Sequence, residues 1–328
     1  MKNYEEISKE CEYIDTNIDP PPPIITIQNH TIATSGNFIT LTGLPKSRKT
    51  TFAVFGIASA LTGKSFFDIK VNLNEDEKIV LFDTEQSIYD FSRQMKMLKK
   101  AINKPSLPDN FKAYLFRKYD PVDVLNSMYY VIKNNLPKII IIDNLTELVI
   151  NPNDVSESKS VIQFLKRITA EYNIVVICLL HLNKNNLMST GNLGSLADRG
   201  AQSVLKVTLD KDLGVSTLEP ILLRSSAHFE PISITYNNDL KKYEQTKTEK
   251  KDTRKKFVLS SLTNVDHINR LNVIFLNVKE WTYGEFVEEI KKIYGVGTNI
   301  SKQQIIPYLL GNNYLINNKG SYSKNDKI

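Results

Sequence analysis

Short runs of β-branched and apolar residues recur from Phe38 onward, each followed by a longer stretch with helical spacing, and this alternation narrows the possible folds most. The runs are FITLTG, KIVLFDTE, AYLF, KIIIIDNL and NIVVICLLH, and between them lie TTFAVFGIASALTG, YDFSRQMKMLKKAI, VLNSMYYVIKNN and SKSVIQFLKRITAEY. Strands alternating with helices specify a mainly parallel sheet, because each parallel connection needs a crossover long enough to hold a helix. IIIID and IVVICLL carry polar residues only at their ends, as central strands covered on both faces do. The expected class is α/β, a mainly parallel twisted sheet with helices on both faces. VLKVTLD, EPILLRSS and PISITYNN read as further strands, an antiparallel extension of that sheet.

The segment GLPKSRKT, Gly43 to Thr50, joins the strand FITLT to the helix TTFAVFGIASAL, the context that a phosphate-binding loop requires. Backbone N–H groups at the helix start would cradle phosphates, Lys49 would neutralise their charge, and the Thr50 hydroxyl would ligate Mg²⁺. Gly43 allows the tight turn out of the strand, and Lys46, Ser47, Arg48 and Thr51 complete the candidate nucleotide-binding set. Arg48 stands where the pattern GxxxxGK[ST] has its second glycine. Its side chain must point away from the phosphates or the loop must widen, which leaves both normal binding and a degenerate site open. Asp143, closing KIIIID, is placed to hold Mg²⁺ beside Thr50, although a strand-ending aspartate also caps a following segment. Glu85, in KIVLFDTEQS, is placed to orient and deprotonate an attacking water; the same letters, with Asp83, also suit a polar loop after a strand.

Strand, GxxxxxKTT, strand with DTEQS, strand with IIIIDNLTEL, strand with a polar end: in this order, through about Asn238, the chain resembles the RecA-like ATPase core. The resemblance implies ATP and Mg²⁺ as ligands, with Glu85 as catalytic base and Lys49 on the phosphates. His181, ending IVVICLLH, falls where that family places a polar γ-phosphate sensor; a lone histidine in such a place is more often structural. NKNNLMSTGNLGSLADRGAQSVLKVTL resembles the loop and helix that line the pore of hexameric members, where Lys184 and Arg199 would meet nucleic-acid phosphates, and a solvated lid has the same composition. Arg224 matches the basic residue that reaches a neighbouring subunit's γ-phosphate, or is an ordinary strand arginine.

Within the class, the chain is most similar to the plasmid RepA and DnaB-type hexameric helicases of mobile genetic elements. That likeness implies a ring-forming ATPase, a homo-hexamer acting on single-stranded DNA, with duplex DNA and replication or mobilisation proteins as further partners. An ATP-switched DNA-binding regulator or loader with little hydrolysis, and a recombinase-like strand-pairing ATPase, stay open beside it.

Outside the core, residues 1–34, with the run Asp19 to Pro23 (DPPPP), read as an extended arm. Residues 241–257 are charged and nearly free of large apolar side chains, the composition of a linker. Residues 258–328 suggest a small winged-helix-like domain: Thr282 with Glu285 and Ser301 with Gln304 mark two helix starts, and YLINNKGSYS reads as a hairpin. Its helix after Ser301, with Lys302, is the candidate for a DNA major groove. Residues 241–328 hold 16 Lys and Arg against 9 Asp and Glu, whereas the rest hold 26 against 27, so an anionic partner is expected at that end. Two distant cysteines, Cys11 and Cys178, indicate neither a disulfide framework nor a metal site, and with no stretch apolar enough to span a membrane the expected location is cytoplasmic.

Overall fold

In the computed structural model, residues 3–13, 19–183, 189–246, 259, 262–318 and 320–325 are described, and the chain divides into two units, Met1–Thr248 and Glu249–Ile328. In the first unit the expected alternation is realised as β3 (Asn37–Gly43), α2 (Lys49–Thr62), β5 (Ile79–Asp83), α3 (Ile88–Ala101), β6 (Phe111–Leu115), α4 (Pro121–Asn135), β7 (Ile139–Asp143), α5 (Val155–Tyr172) and β8 (Val175–His181). After α6 (Gly191–Gly200) come β9 (Ser203–Asp210), β10 (Val215–Leu223), β11 (Ile232–Asn237) and β12 (Lys242–Thr246).

These strands form one nine-stranded sheet in the order β12-β11-β10-β9-β3-β8-β7-β5-β6. The strands from β9 to β6 in that order are parallel, and β10 to β12 are antiparallel. VLKVTLD therefore departs from the antiparallel reading: as β9 it pairs parallel with β3, because α6 supplies the crossover.

Side-chain alternation explains why β5 and β7 are apolar up to their closing aspartates. Ile79, Leu81, Ile139 and Ile141 pack with α2 and α3 on one face, while Val80, Phe82, Ile140 and Ile142 pack with α4 and α5 on the other. Each fully buried isoleucine contributes about 1.5–3 kcal/mol.

The N-terminal segment corrects the extended-arm reading. After α1 (Tyr4–Glu10), β1 (Pro23–Ile27) and β2 (His30–Thr34) pair with β4 (Ile69–Val71) in a second sheet, order β2-β1-β4. Ile24, Ile25, Ile27 and Ile32 are buried in the same core as α2. Proline occupies only the first position of β1, where no ladder hydrogen bond is lost. The linker reading from residue 241 is corrected as well, since Lys242 to Thr246 pair with β11 as the edge strand β12.

The second unit contains α7 (Asn264–Ile274), β13 (Glu280–Thr282), α8 (Tyr283–Tyr294), a helical segment from α9 (Thr298–Ile300) through a π turn to α10 (Ile306–Gly311), and the hairpin β14 (Leu315–Asn318) and β15 (Ser321–Lys324). Helices followed by a two-stranded wing, with β13 completing the sheet order β13-β15-β14, give the winged-helix-like arrangement. Phe286, Ile290, Ile305 and Leu309 form its core, and Tyr322 stacks on Phe286 at 5.4 Å. Thr282 and Glu285 make the expected capping box. Ser301 does not start a helix: Gly297 is the cap, and the buried Ser301 hydroxyl donates to the Gly297 carbonyl at 3.1 Å inside a helix already under way.

Candidate nucleotide site

All the parallel strands point their C-terminal ends to one edge, where β3, β5, β7 and β8 deliver Gly43, Asp83, Asp143 and His181. Gly43 is fixed by crowding, because a Cβ there would lie 2.5 Å from the Val207 carbonyl oxygen and 2.6 Å from Ser47 Oγ. The loop then turns through Lys46 and Arg48, both with left-handed backbones at φ 66° and 75°. Arg48 thus keeps the handedness a glycine would adopt without cost, at about 1–2 kcal/mol for a residue bearing a Cβ. Its side chain turns aside: Nη1 donates to the Gly214 carbonyl at 2.8 Å, and the guanidinium lies 5.6 Å from the centre of the Tyr243 ring.

Arg48 is also the N-cap of α2 and makes no side-chain cap. The first N–H groups of the helix, at Lys49, Thr50 and Thr51, have no acceptor within the helix. Together with the buried Ser47 hydroxyl, which has no partner among the described residues, they present donors to an anion at the positive end of the helix.

Lys49 is buried, and burial lowers its pKa to about 8 despite Asp143 and Glu85 nearby. Its ammonium donates to the carbonyls of Gly43 at 2.9 Å and Leu44 at 3.2 Å, and lies 3.1 Å from His181 Nδ1. An ammonium only donates, so Nδ1 accepts, the ring proton sits on Nε2, and Nε2 donates to Glu85 Oε2 at 3.2 Å. His181 thereby links the lysine to the carboxylate. That hydrogen bond leads the causes that hold the Glu85 carboxyl below its ordinary range.

Beside this line, the Thr50 hydroxyl donates to Asp143 Oδ2 at 2.7 Å. Burial pushes the Asp143 carboxyl up to about 6, with Thr50 acting against the shift. The two strand ends are stitched by Thr84, whose N–H donates to the Asp143 carbonyl at 2.8 Å and whose hydroxyl accepts from the Asn144 N–H at 2.9 Å. Asp83 is buried and accepts from the backbone N–H groups of Glu85 at 3.1 Å and Gln86 at 2.8 Å, which shapes the turn that presents Glu85. The Thr84 stitch is not visible in DTEQS, because it depends on β5 and β7 being neighbours, whereas the Asp83 turn is local to those letters.

Thr50 and Asp143 fit Mg²⁺, a hard cation held by one or two protein oxygens with phosphates and water completing its shell. A cleft of about 1480 Å³ is lined by Lys46, Ser47, Arg48, Lys49, Thr50 and Thr51 together with Glu85, Asp143 and His181.

Arg224 and Arg199 lie elsewhere. The Arg224 N–H donates to the Gln202 carbonyl, and the Gln202 N–H to the Phe38 carbonyl, at the start of β3. Phe38 precedes Gly43 by five residues, about 17 Å along the strand. Arg199 is exposed at the end of α6 and its carbonyl accepts from Arg224 at 3.5 Å. Lys302, in the second unit, is exposed with its ammonium 5.6 Å from the centre of the Tyr283 ring. Lys184 lies outside the described residues.

Comparison with known proteins places a family model described as an AAA domain on residues 13–186. No curated protein matches the sequence. Among solved structures, a KaiC-like protein of the hyperthermophilic archaeon Pyrococcus horikoshii OT3 is 17% identical, with a TM-score of 0.46, over 65% of this chain and 90% of that one. The RadB recombinase is 16% identical at the same TM-score, over 65% and 92% of the two chains.

Proposed function

The chain belongs to the AAA domain family, and from that premise we propose that it is a Mg-ATP hydrolase that acts on DNA as a ring of identical subunits, a helicase or replication protein of a plasmid, phage or mobile element. The observation that carries the hydrolase reading is the line from Lys49 through His181 to Glu85, set beside the Thr50–Asp143 pair. In this reading Lys49 and the N–H groups opening α2 hold the phosphates. Thr50 and Asp143 would hold Mg²⁺, which would supply positive charge to offset that of the phosphates. Glu85, ionised at neutral pH, orients and deprotonates the attacking water. A Lys49 that turns to a phosphate gives up His181 Nδ1, so the imidazole senses the ligand and passes the change to Glu85.

Arg224 stands at the opposite end of the strands from its own phosphate loop, so an action on γ-phosphate requires a second copy of the chain. That supports the ring. The basic C-terminal balance and the winged-helix-like unit support DNA as the partner.

Hydrolysis measured with and without single-stranded DNA, on protein of known mass in solution, tests the reading. DNA-stimulated hydrolysis should fall by about 10²–10⁴-fold in Glu85→Gln while nucleotide binding persists. Hydrolysis absent from the unaltered protein, with binding retained, would favour an ATP-switched regulator or loader instead. Open filaments in place of closed rings in electron micrographs would favour a recombinase-like ATPase.

A further inference from the structure

The second wall of the cleft is aromatic. Arg48 leans over the Tyr243 ring at 5.6 Å; Tyr243 meets Tyr236 at 5.1 Å and Phe55 at 5.9 Å; and Phe55 meets Phe67 at 4.7 Å. Phe67 and Asp68 both take left-handed backbones, φ 51° and 59°. A bulky residue avoids that conformation, and here it accompanies a ring that lines the cleft. Arg48, Phe55, Phe67, Tyr236 and Tyr243 border the same cleft as the phosphate loop.

The direction of a bound ligand follows from the sheet. Asp143 and Glu85 stand on the β8-β7-β5 side of β3, so the terminal phosphate faces that way. The remainder of the molecule then leaves across Arg48 towards β10–β12, where Gly214 and Tyr243 anchor the guanidinium.

We propose that Arg48, Tyr243 and Tyr236 seat the nucleobase, with the guanidinium plane and the phenol rings stacking on its face, and that Arg48 is a specificity residue growing out of the phosphate loop. This rests on the nucleotide reading above. Stacking follows ring area, so the seat favours purines over pyrimidines.

The test is calorimetric titration of the full chain with ATP, CTP and inorganic tripolyphosphate in the presence of Mg²⁺. ATP should bind roughly tenfold or more tighter than tripolyphosphate, with CTP between them. Arg48→Gly, which suits the left-handed backbone, and Arg48→Lys, which keeps charge and Cβ but lacks the plane, should each shrink the ATP advantage by roughly tenfold. Equal affinity of the unaltered protein for ATP and tripolyphosphate, or an ATP advantage unchanged in both variants, would overturn the nucleobase seat alone. Binding of neither ligand by the unaltered protein would overturn the nucleotide reading and the seat with it.

Discussion

Lys49 and Asp143 are each shifted by burial away from the charge that phosphate and metal binding require. The Asp143 carboxyl, raised to about 6 from 3.8, binds its proton more tightly folded than unfolded, so this group adds stability as pH falls from about 6 towards 4. Lys49, lowered to about 8 from 10.5, is protonated less readily when folded, so its contribution grows as pH rises from about 8. Near neutrality both charges destabilise the fold. Asp143→Asn should therefore raise the thermal midpoint by a few degrees and abolish Mg²⁺-dependent nucleotide binding, as seen by thermal scans with and without Mg-ATP. A midpoint lowered without ligand would sink that account. As candidates, Asp143 and His181 were legible in the sequence because each ends an apolar strand, and Glu85 because it follows one by two residues. The stitching by Thr84 was not, since it arises from the adjacency of β5 and β7, and the turn made by Asp83, though local, shares its letters with any polar loop after a strand.

At the level of elements, strands covered on both faces were the most readable, because four consecutive apolar residues in β5 or β7 leave no other place to go. Ile140→Ala should cost about 2–5 kcal/mol in denaturant unfolding, more than alanine at an exposed helix position. The segments misread were those whose chemistry is local but whose partners are distant. DPPPP hides the strand that begins at its last proline, and the charged KKYEQT hides β12, an edge strand that needs a hydrogen-bonding neighbour more than an apolar face. In the second unit, α7 buries His267 among Tyr294, Tyr308 and Tyr314. Burial first, then Arg270, lowers its pKa, while Asp266 opposes the shift. The unfolded chain therefore takes up this proton more readily, and stability should fall as pH drops below about 6.5. Trp281 is the chain's one tryptophan and lies in this unit, so its fluorescence during thermal unfolding reports the effect. His267→Phe should remove the pH dependence.

For the whole molecule, the separation of Arg224 from Glu85 within one chain makes a prediction about copies. Glu85→Gln and Arg224→Ala should each be inactive alone, yet mixed preparations should recover part of the hydrolysis, because some junctions between copies would carry both native residues. No recovery on mixing would assign Arg224 to an ordinary surface role. Truncation after Thr248, which spares β12, should weaken DNA binding and reduce its dependence on salt through lost phosphate contacts. Charge marks the C-terminal segment in the sequence, but nothing there marks the small sheet β2-β1-β4, because its three strands come from segments on both sides of the phosphate loop. Arg48 carries one more consequence. What the loop demands at that place is a sense of rotation in the main chain, and a side chain is admissible provided it finds lodging elsewhere. Patterns written in letters will discard such loops, whereas a catalogue written in torsion angles would gather them with their glycine-bearing kin.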